Sequence, residues 1–355
     1  MRVDQLIPAF HRGDAIGDTA FHMRNFLRSK GLDSEIYCLE RDKELEDESI
    51  LIDRFPEPSP DDVTILHFAL VSPLTRRFTG LPSRKILIYH NVTPSDFFED
   101  FSGEMSRVTR LSREELKSLA QDVELALADS EFNCRELRDL GYKKTEVFPL
   151  FIDFEKYKKQ KSNFIYNLFN DDRTNILFVG RIVPNKKIDE LIKVVFYYKK
   201  YISPLVRLII VGKTNSLPKY YKSLIQMADE FYLKPEEISF TGHIPDEEMY
   251  ALYKASHVFL SLSEHEGFGL PFIESMVFDL PIIAYDCTAV PFTLGNAGIL
   301  IKNKNVDRIA ELVNIVVRDQ AFKERIIQSQ RTRLDEYKNY DLEGSLLKSL
   351  DSIIK

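Results

Sequence analysis

Ser263-Glu-His-Glu-Gly-Phe-Gly-Leu-Pro-Phe-Ile-Glu274 sets two acids, Glu266 and Glu274, around two glycines and a proline. The apolar run Val258-Phe-Leu-Ser-Leu-Ser263 before it reads as a buried parallel strand. Pro271 suits the first position of a helix, where its missing N–H costs nothing. Gly267 and Gly269 then fall in the strand-to-helix turn, where glycine lets the backbone take positive φ and approach a ligand closely. Free N–H groups at the helix start suit phosphate or sugar oxygens. Glu266 lies in the turn and Glu274 about one helical turn in, so the spacing expects both to face one pocket.

The same order of strand, polar turn and helix recurs outward from this stretch. Asn175-Ile-Leu-Phe-Val-Gly-Arg-Ile-Val-Pro-Asn-Lys-Lys-Ile-Asp189 is a buried-strand run that opens into a charged loop and then a helical pattern at Ile188, Leu191, Ile192 and Val195. Leu208-Ile-Ile-Val-Gly-Lys213 and Ile238-Ser-Phe-Thr-Gly-His-Ile-Pro-Asp246 follow, the latter leading into a helix that Asp246 is placed to cap, with Glu247 and Glu248 in its first turn. Leu280-Pro-Ile-Ile-Ala-Tyr-Asp286 and Ala289-Val-Pro-Phe-Thr-Leu-Gly-Asn-Ala-Gly-Ile-Leu-Ile301 close the half.

At these residues the chain resembles the retaining glycosyltransferases of the family 4 type, a large group that includes bacterial mannosyl- and glucosyltransferases and has the two-domain GT-B fold. The family mark is a Glu, seven residues and a second Glu, matched by Glu266 and Glu274. The resemblance implies that Arg181 and Lys186 meet the donor diphosphate, where fixed positive charge must stand as negative charge grows on the leaving group. It assigns Glu266 to sugar hydroxyls, Glu274 to the ribose, Gly180, Gly267, Phe268, Gly269 and Leu270 to the donor, and the backbone of His243 and Ile244 to the nucleobase. Three positions depart from the family pattern: Lys187 and Asp279 stand where glycine is common, and Phe292 stands where glutamate is usual. Asp tolerates a left-handed cap better than most residues. Phe292 leaves open how the loop near the donor sugar is held.

Composition agrees. The chain has 355 residues, 44% hydrophobic and 29% charged, which fits a globular protein of two domains. A net charge of −7 and the lack of an arginine-rich or aromatic-interleaved patch argue against a nucleic-acid partner. Cys38, Cys134 and Cys287 are far apart and show neither ligand spacing nor a disulfide framework. The start, Met1-Arg-Val-Asp-Gln-Leu-Ile, reads as cytoplasmic, with no signal peptide or spanning helix. The basic stretches Arg76-Arg77, Arg84-Lys85 and Lys156 through Lys161 read as solvated surface, with peripheral contact on the cytoplasmic face of a membrane as the alternative.

The N-terminal half alternates strand-like and helix-like runs, with strands expected at Val3–Ile7, Ser34–Cys38, Val63–Phe68, Lys85–Tyr89, Leu125–Ala128 and Thr145–Phe148. The fold class is therefore α/β, with two Rossmann-like domains facing across a cleft where donor and acceptor meet. Residues 1–152 form the expected acceptor domain, joined by a C-terminal helix at about 337–355, and 153–336 form the donor domain. The amphipathic stretch Ala321–Ile354 resembles helices that cross back onto the first domain. Gly13 and Gly17, in a glycine loop opening a helix, are acceptor-side candidates. His90, at the end of a strand-like run, matches a histidine that family members carry near the transferred sugar. His67, also at a strand end, is a weaker candidate, and His22 and His257 read as ordinary helix residues.

The resemblance implies front-face transfer of a sugar from a UDP- or GDP-linked donor to a glycan, lipid-linked or small-molecule acceptor in polysaccharide or glycoconjugate synthesis. The leaving phosphate then helps to remove the acceptor proton. No Asp-x-Asp motif follows a strand, so no metal and no cofactor are expected. A glycoside hydrolase would leave the Arg181 loop without purpose. A GT-B sugar-nucleotide epimerase and a non-catalytic partner subunit are the other readings.

Overall fold

The computed structural model describes residues 1–11, 13–158 and 162–354. The chain divides into two compact units: Met1–Asp96 with Glu104–Asp153 and Tyr340–Lys355, and Phe97–Gly103 with Phe154–Asn339.

The first unit holds strands β1 (Val3–Phe10), β2 (Ile36–Arg41), β3 (Ile50–Leu51), β4 (Val63–Phe68), β5 (Arg84–Tyr89), β6 (Leu125–Ala128) and β7 (Thr145–Val147). They form one parallel sheet in the order β3-β2-β1-β4-β5-β6-β7. Its helices are α1 (Ala15–Ser29), α2 (Pro73–Thr79), α3 (Gly103–Leu119, of which Gly103 groups with the second unit) and α4 (Glu131–Asp139). The strands are near-continuous apolar runs because both faces are covered. Alternation along a strand divides the core. Leu87 and Tyr89 pack on one face with Leu74, Phe78, Leu116 and Leu137, and Ile86 and Ile88 on the other with Met23, Leu27, Leu346 and Leu350.

The second unit begins with α5 (Asn163–Phe169) and continues β8 (Thr174–Val179), α6 (Ile188–Tyr201), β9 (Val206–Val211), α7 (Pro218–Glu230), β10 (Ile238–Gly242), α8 (Asp246–Ala255), β11 (Val258–Ser261), α9 (Leu270–Val277), β12 (Ile282–Tyr285), α10 (Val290–Leu294), β13 (Ile299–Ile301), α11 (Val306–Arg318) and α12 (Gln320–Lys338). Its parallel sheet runs β10-β9-β8-β11-β12-β13. β9 and β8 meet so closely at their carboxyl ends that a Cβ on Gly212 would stand 1.9 Å from the Gly180 carbonyl oxygen, which only glycine avoids.

Three expectations shift. Two-residue β3 carries too little periodicity to read from sequence. Of the helices expected over Ala321–Ile354 to pack on the first domain, only the second joins the first unit. The stretch breaks after Lys338, and α13 (Leu342–Ile354) starts where the Asp341 carboxylate accepts the Gly344 N–H at 2.8 Å. α12 belongs to the second unit and α13 to the first. Asp246 does not cap α8: Pro245 holds the cap position, and the Asp246 side chain accepts the Tyr250 hydroxyl at 3.3 Å. Among the described residues no helix is long and apolar enough to cross a membrane.

Candidate functional site

In an open parallel sheet, ligands bind outside the carboxyl ends of the strands where strand order reverses. In the second unit that point lies between neighbours β8 and β11. The loop after β8 runs from Gly180 to Lys187, and the loop after β11 from Leu262 to Gly269, so the two segments singled out in the sequence leave adjacent strands. Three contacts stitch them together. The Glu264 N–H donates to the Asn185 carbonyl at 2.8 Å, Asn185 Nδ2 donates to the His265 carbonyl at 2.9 Å, and Lys186 Nζ meets Glu266 Oε2 at 2.5 Å. The side chains of Lys186 and Glu266 are only 13% and 11% exposed, which limits solvent screening of the pair. Arg181 is exposed and has no side-chain partner among the described residues. Lys304 joins Glu190 and Glu264, at 2.9 and 2.8 Å. Burial works to raise Glu264, but Lys304 and Lys187 outweigh it and hold the carboxyl below its ordinary range.

Gly269 takes φ 91° at the start of α9, and a side chain there would strike the Phe272 ring, so the glycine expected for this turn is required. Leu270 opens α9, and Pro271 occupies its first turn. Phe268 is buried, with its ring edge-on to Tyr337 at 6.0 Å, which leaves its backbone rather than its ring for a ligand. Glu274 differs from its expected place. It is 5% exposed, and its two oxygens accept the Tyr253 hydroxyl at 2.8 Å and the Tyr157 hydroxyl at 3.2 Å. Glu266 thus meets Lys186, while Glu274 is held by Tyr253 of α8 and by Tyr157. Burial raises the Glu274 carboxyl, against the pull of the Tyr253 hydroxyl.

The departures from the family pattern have local explanations. Lys187, φ 51°, and Asp279, φ 53°, both occupy the left-handed region that glycine favours. Lys187 stands 3.5 Å from Glu264, and Asp279 receives two hydrogen bonds from Arg331 at 2.9 and 3.0 Å. In place of a glutamate at 292, Arg333 of α12 holds the loop by its backbone, donating to the Phe292 carbonyl at 2.6 Å and the Thr293 carbonyl at 2.9 Å. His243 is exposed and Ile244 half-buried in the turn after edge strand β10, two places from β8.

In the first unit, a hydrogen-bonded chain crosses four neighbouring strands. Gln5 Oε1 meets His67 Nε2 at 2.9 Å, His67 Nδ1 meets His90 Nε2 at 3.0 Å, and His90 Nδ1 meets Asp129 Oδ1 at 3.0 Å. Gln5 Nε2 donates to the Ala20 carbonyl at 3.0 Å, so its Oε1 faces His67 as an acceptor. Each of the three links needs one proton. Two neutral imidazoles bring two, so the chain holds one more, which offsets the Asp129 charge. Burial, and then the charge at His90, push His67 well below its usual value; burial raises Asp129, opposed by His90. The His90 ring is 2% exposed with both nitrogens engaged, so it supports the strand ends instead of standing beside a sugar as the sequence suggested. His67, the weaker candidate, is likewise interior. Gly13 takes φ 72° in the turn before α1, and Gly17 lies buried in the helix, where a Cβ would stand 2.9 Å from the His11 carbonyl oxygen. Of the basic run, Lys159, Gln160 and Lys161 lie outside the described residues.

Residues 159–333 match the family model described as glycosyl transferases group 1. The second unit carries a glycosyl transferases group 1 domain. The chain is 33% identical over 87 residues to the O-antigen chain mannosyltransferase B of Escherichia coli, covering 24% of this chain and 23% of that one. It is 27% identical over 191 residues to the capsular polysaccharide biosynthesis glycosyltransferase CapM of Staphylococcus aureus, covering 52% and 48%. The chain thus spans less than half the length of either curated relative. The fold is GT-B. Anabaena HepE in complex with UDP-glucose superposes with a TM-score of 0.76 at 15% identity over 99% of this chain and 100% of that one. WaaG, a glycosyltransferase involved in lipopolysaccharide biosynthesis, gives 0.70 at 13% over 99% of both.

Sequence reasoning missed Asn185, Thr293 and Arg333, which hold the loops of this site. Asn185 sits inside the quoted loop without a signal of its own, and Arg333 lies on a helix far along the chain.

Proposed function

We propose that the protein transfers a sugar, with retention, from a nucleoside-diphosphate sugar to a hydroxyl acceptor in the synthesis of a polysaccharide or glycoconjugate. The observation that carries the reading is the Lys186–Glu266 pair at the strand-order reversal of the second unit. It sets a cation where a diphosphate would gain charge and a carboxylate where sugar hydroxyls would donate. The names of the relatives, mannosyltransferases of O-antigen and a capsule glycosyltransferase, support the class of product.

In this reading the bond from the anomeric carbon to the phosphate oxygen breaks, and its electron pair stays with the leaving diphosphate beside Arg181 and Lys186. The acceptor oxygen bonds to the same face of that carbon, and its proton passes to the departing phosphate. Glu266 holds the donor sugar, and the N–H groups opening α9 meet phosphate or sugar oxygens. The Gly180 turn and the His243–Ile244 backbone serve the remainder of the donor. Two cationic side chains take the charge-neutralising part a divalent cation plays elsewhere, so we assign no resident metal or cofactor. We place the reaction in the cytoplasm, with a glycan or lipid-linked acceptor.

The test is turnover of UDP-glucose, UDP-N-acetylglucosamine and GDP-mannose with an acceptor panel, in excess EDTA. Arg181→Ala and Lys186→Ala are each expected to lose about ten-fold to a thousand-fold in rate, with the folded state retained and the melting temperature lowered only in Lys186→Ala, which leaves Glu266 unpaired. Rates within two-fold of wild type in both variants remove the diphosphate role. Loss of activity on chelation, restored by Mg²⁺, removes metal independence.

A further inference from the structure

Glu266 is held from behind by a residue on a different loop. Thr288, between β12 and α10, places one hydroxyl against both polar groups of the Glu266 backbone: Oγ1 accepts the Glu266 N–H at 2.9 Å and donates to the Glu266 carbonyl at 3.0 Å. The Ala289 N–H adds a third contact to that carbonyl at 3.3 Å. A β-strand neighbour would satisfy the same two groups with two separate peptide units; here a single side chain does it at the point where the chain leaves the sheet. Thr288 reaches this place with φ 42°, a conformation that β-branched residues rarely adopt. The neighbouring Cys287 thiol donates to the Ser263 carbonyl at 3.0 Å, and Thr293 Oγ1 donates to the Phe268 carbonyl at 2.5 Å. The turn from Ser263 to Phe268 is thus fastened at three points to one following segment, and the strained fastening is the one on the acid that meets Lys186.

We propose that Thr288 is a positioning residue for transfer, fixing the Glu266 backbone so that its carboxylate is aimed before the donor sugar arrives. The inference rests on the reading that Glu266 holds that sugar. Pre-set geometry of this kind acts on the reaction step more than on binding of the nucleotide, because the bare diphosphate gains nothing from Glu266.

The experiment compares Thr288→Val, Thr288→Ala, Thr288→Ser and Glu266→Gln in the full chain, with the donor that proves active among UDP-glucose, UDP-N-acetylglucosamine and GDP-mannose. Hydrogen exchange of the Glu266 amide and titration with UDP or GDP accompany the kinetics. Thr288→Val and Thr288→Ala are expected to lower kcat about ten-fold or more, with donor KM and diphosphate affinity within about three-fold, and to speed exchange at the Glu266 amide. Thr288→Ser, which keeps the hydroxyl, restores kcat to within about three-fold and restores protection. If Glu266→Gln is impaired while the alanine variant turns over as wild type, the positioning role fails and the reading of Glu266 stands. If Glu266→Gln itself turns over as wild type, that reading fails. Loss of diphosphate binding equal to the loss of kcat in the alanine variant assigns Thr288 a merely structural part and overturns the proposal.

Discussion

Protonation is the first consequence at the scale of single residues. Three links joining Gln5, His67, His90 and Asp129 need three protons, and the carboxylate's charge is what keeps the third in place. In Asp129→Asn the amide oxygen still accepts a proton from His90 Nδ1, but the charge is gone, so the extra proton leaves and two bare nitrogens face each other between His67 and His90. NMR of ¹⁵N-histidine protein at neutral pH is expected to show a proton bridging the two rings in wild type and none in the variant. A bridge absent from wild type, or persisting in the variant, would refute the proton count. The chain also shows where sequence legibility ends. His90 was conspicuous as a histidine at a strand end, yet its partners are scattered from Gln5 to Asp129 and become neighbours only through the strand order. Lys186 and Glu266 were legible because each lies in a short segment whose strand, turn and helix carry their own local signals. The Thr288 hydroxyl carried no such signal, since serine and threonine in loops usually bond their own backbone.

Elements meet through buried polar contacts as well as apolar ones. Tyr253 of α8 and Tyr157 both donate to Glu274 of α9, inside a cluster that includes Tyr250 and Phe278. A carboxylate so deeply placed depends on each donor. Tyr253→Phe is expected to cost about 1 to 3 kcal/mol by urea denaturation, because it leaves a buried acceptor short of a partner. Combined with Glu274→Gln, which removes the charge, it should cost less than the sum of the two single changes. Strict additivity would mean that the hydroxyl and the carboxylate do not depend on each other. Sequence spacing places Glu274 one turn into its helix but does not show that hydroxyls of Tyr253 and Tyr157 meet it there. The strand cores were plain in the sequence, since parallel strands covered on both faces are continuous apolar runs, whereas β3, at two residues, was too short to register.

At the scale of the molecule, the first unit is not continuous in sequence. Leu346, Leu350 and Ile353 of α13 complete the face formed by Val3, Ile65, Ile86 and Ile88, and the Ser349 hydroxyl donates to Glu146 at 2.8 Å. Leu350→Ala is expected to destabilise the first unit by about 2 to 5 kcal/mol, read as an earlier urea midpoint for a probe in that unit. An unchanged midpoint would show that α13 rests on the sheet without sealing it. The sequence places the returning helix at about 337–355, and α13 begins at Leu342, because amphipathic spacing runs on through Lys338 and the Asp341 cap marks the new start only weakly. The placement of α13 also imposes an order in time. A nascent chain releases every strand of the first sheet before any strand of the second, yet one apolar face of that first sheet, packed on α1 alone, stays partly uncovered until α13 has left the ribosome. For the whole interval in which residues 154–339 are being synthesised, that half-covered sheet is a surface for chaperones to shield, and a stalled or prematurely terminated message would leave it exposed.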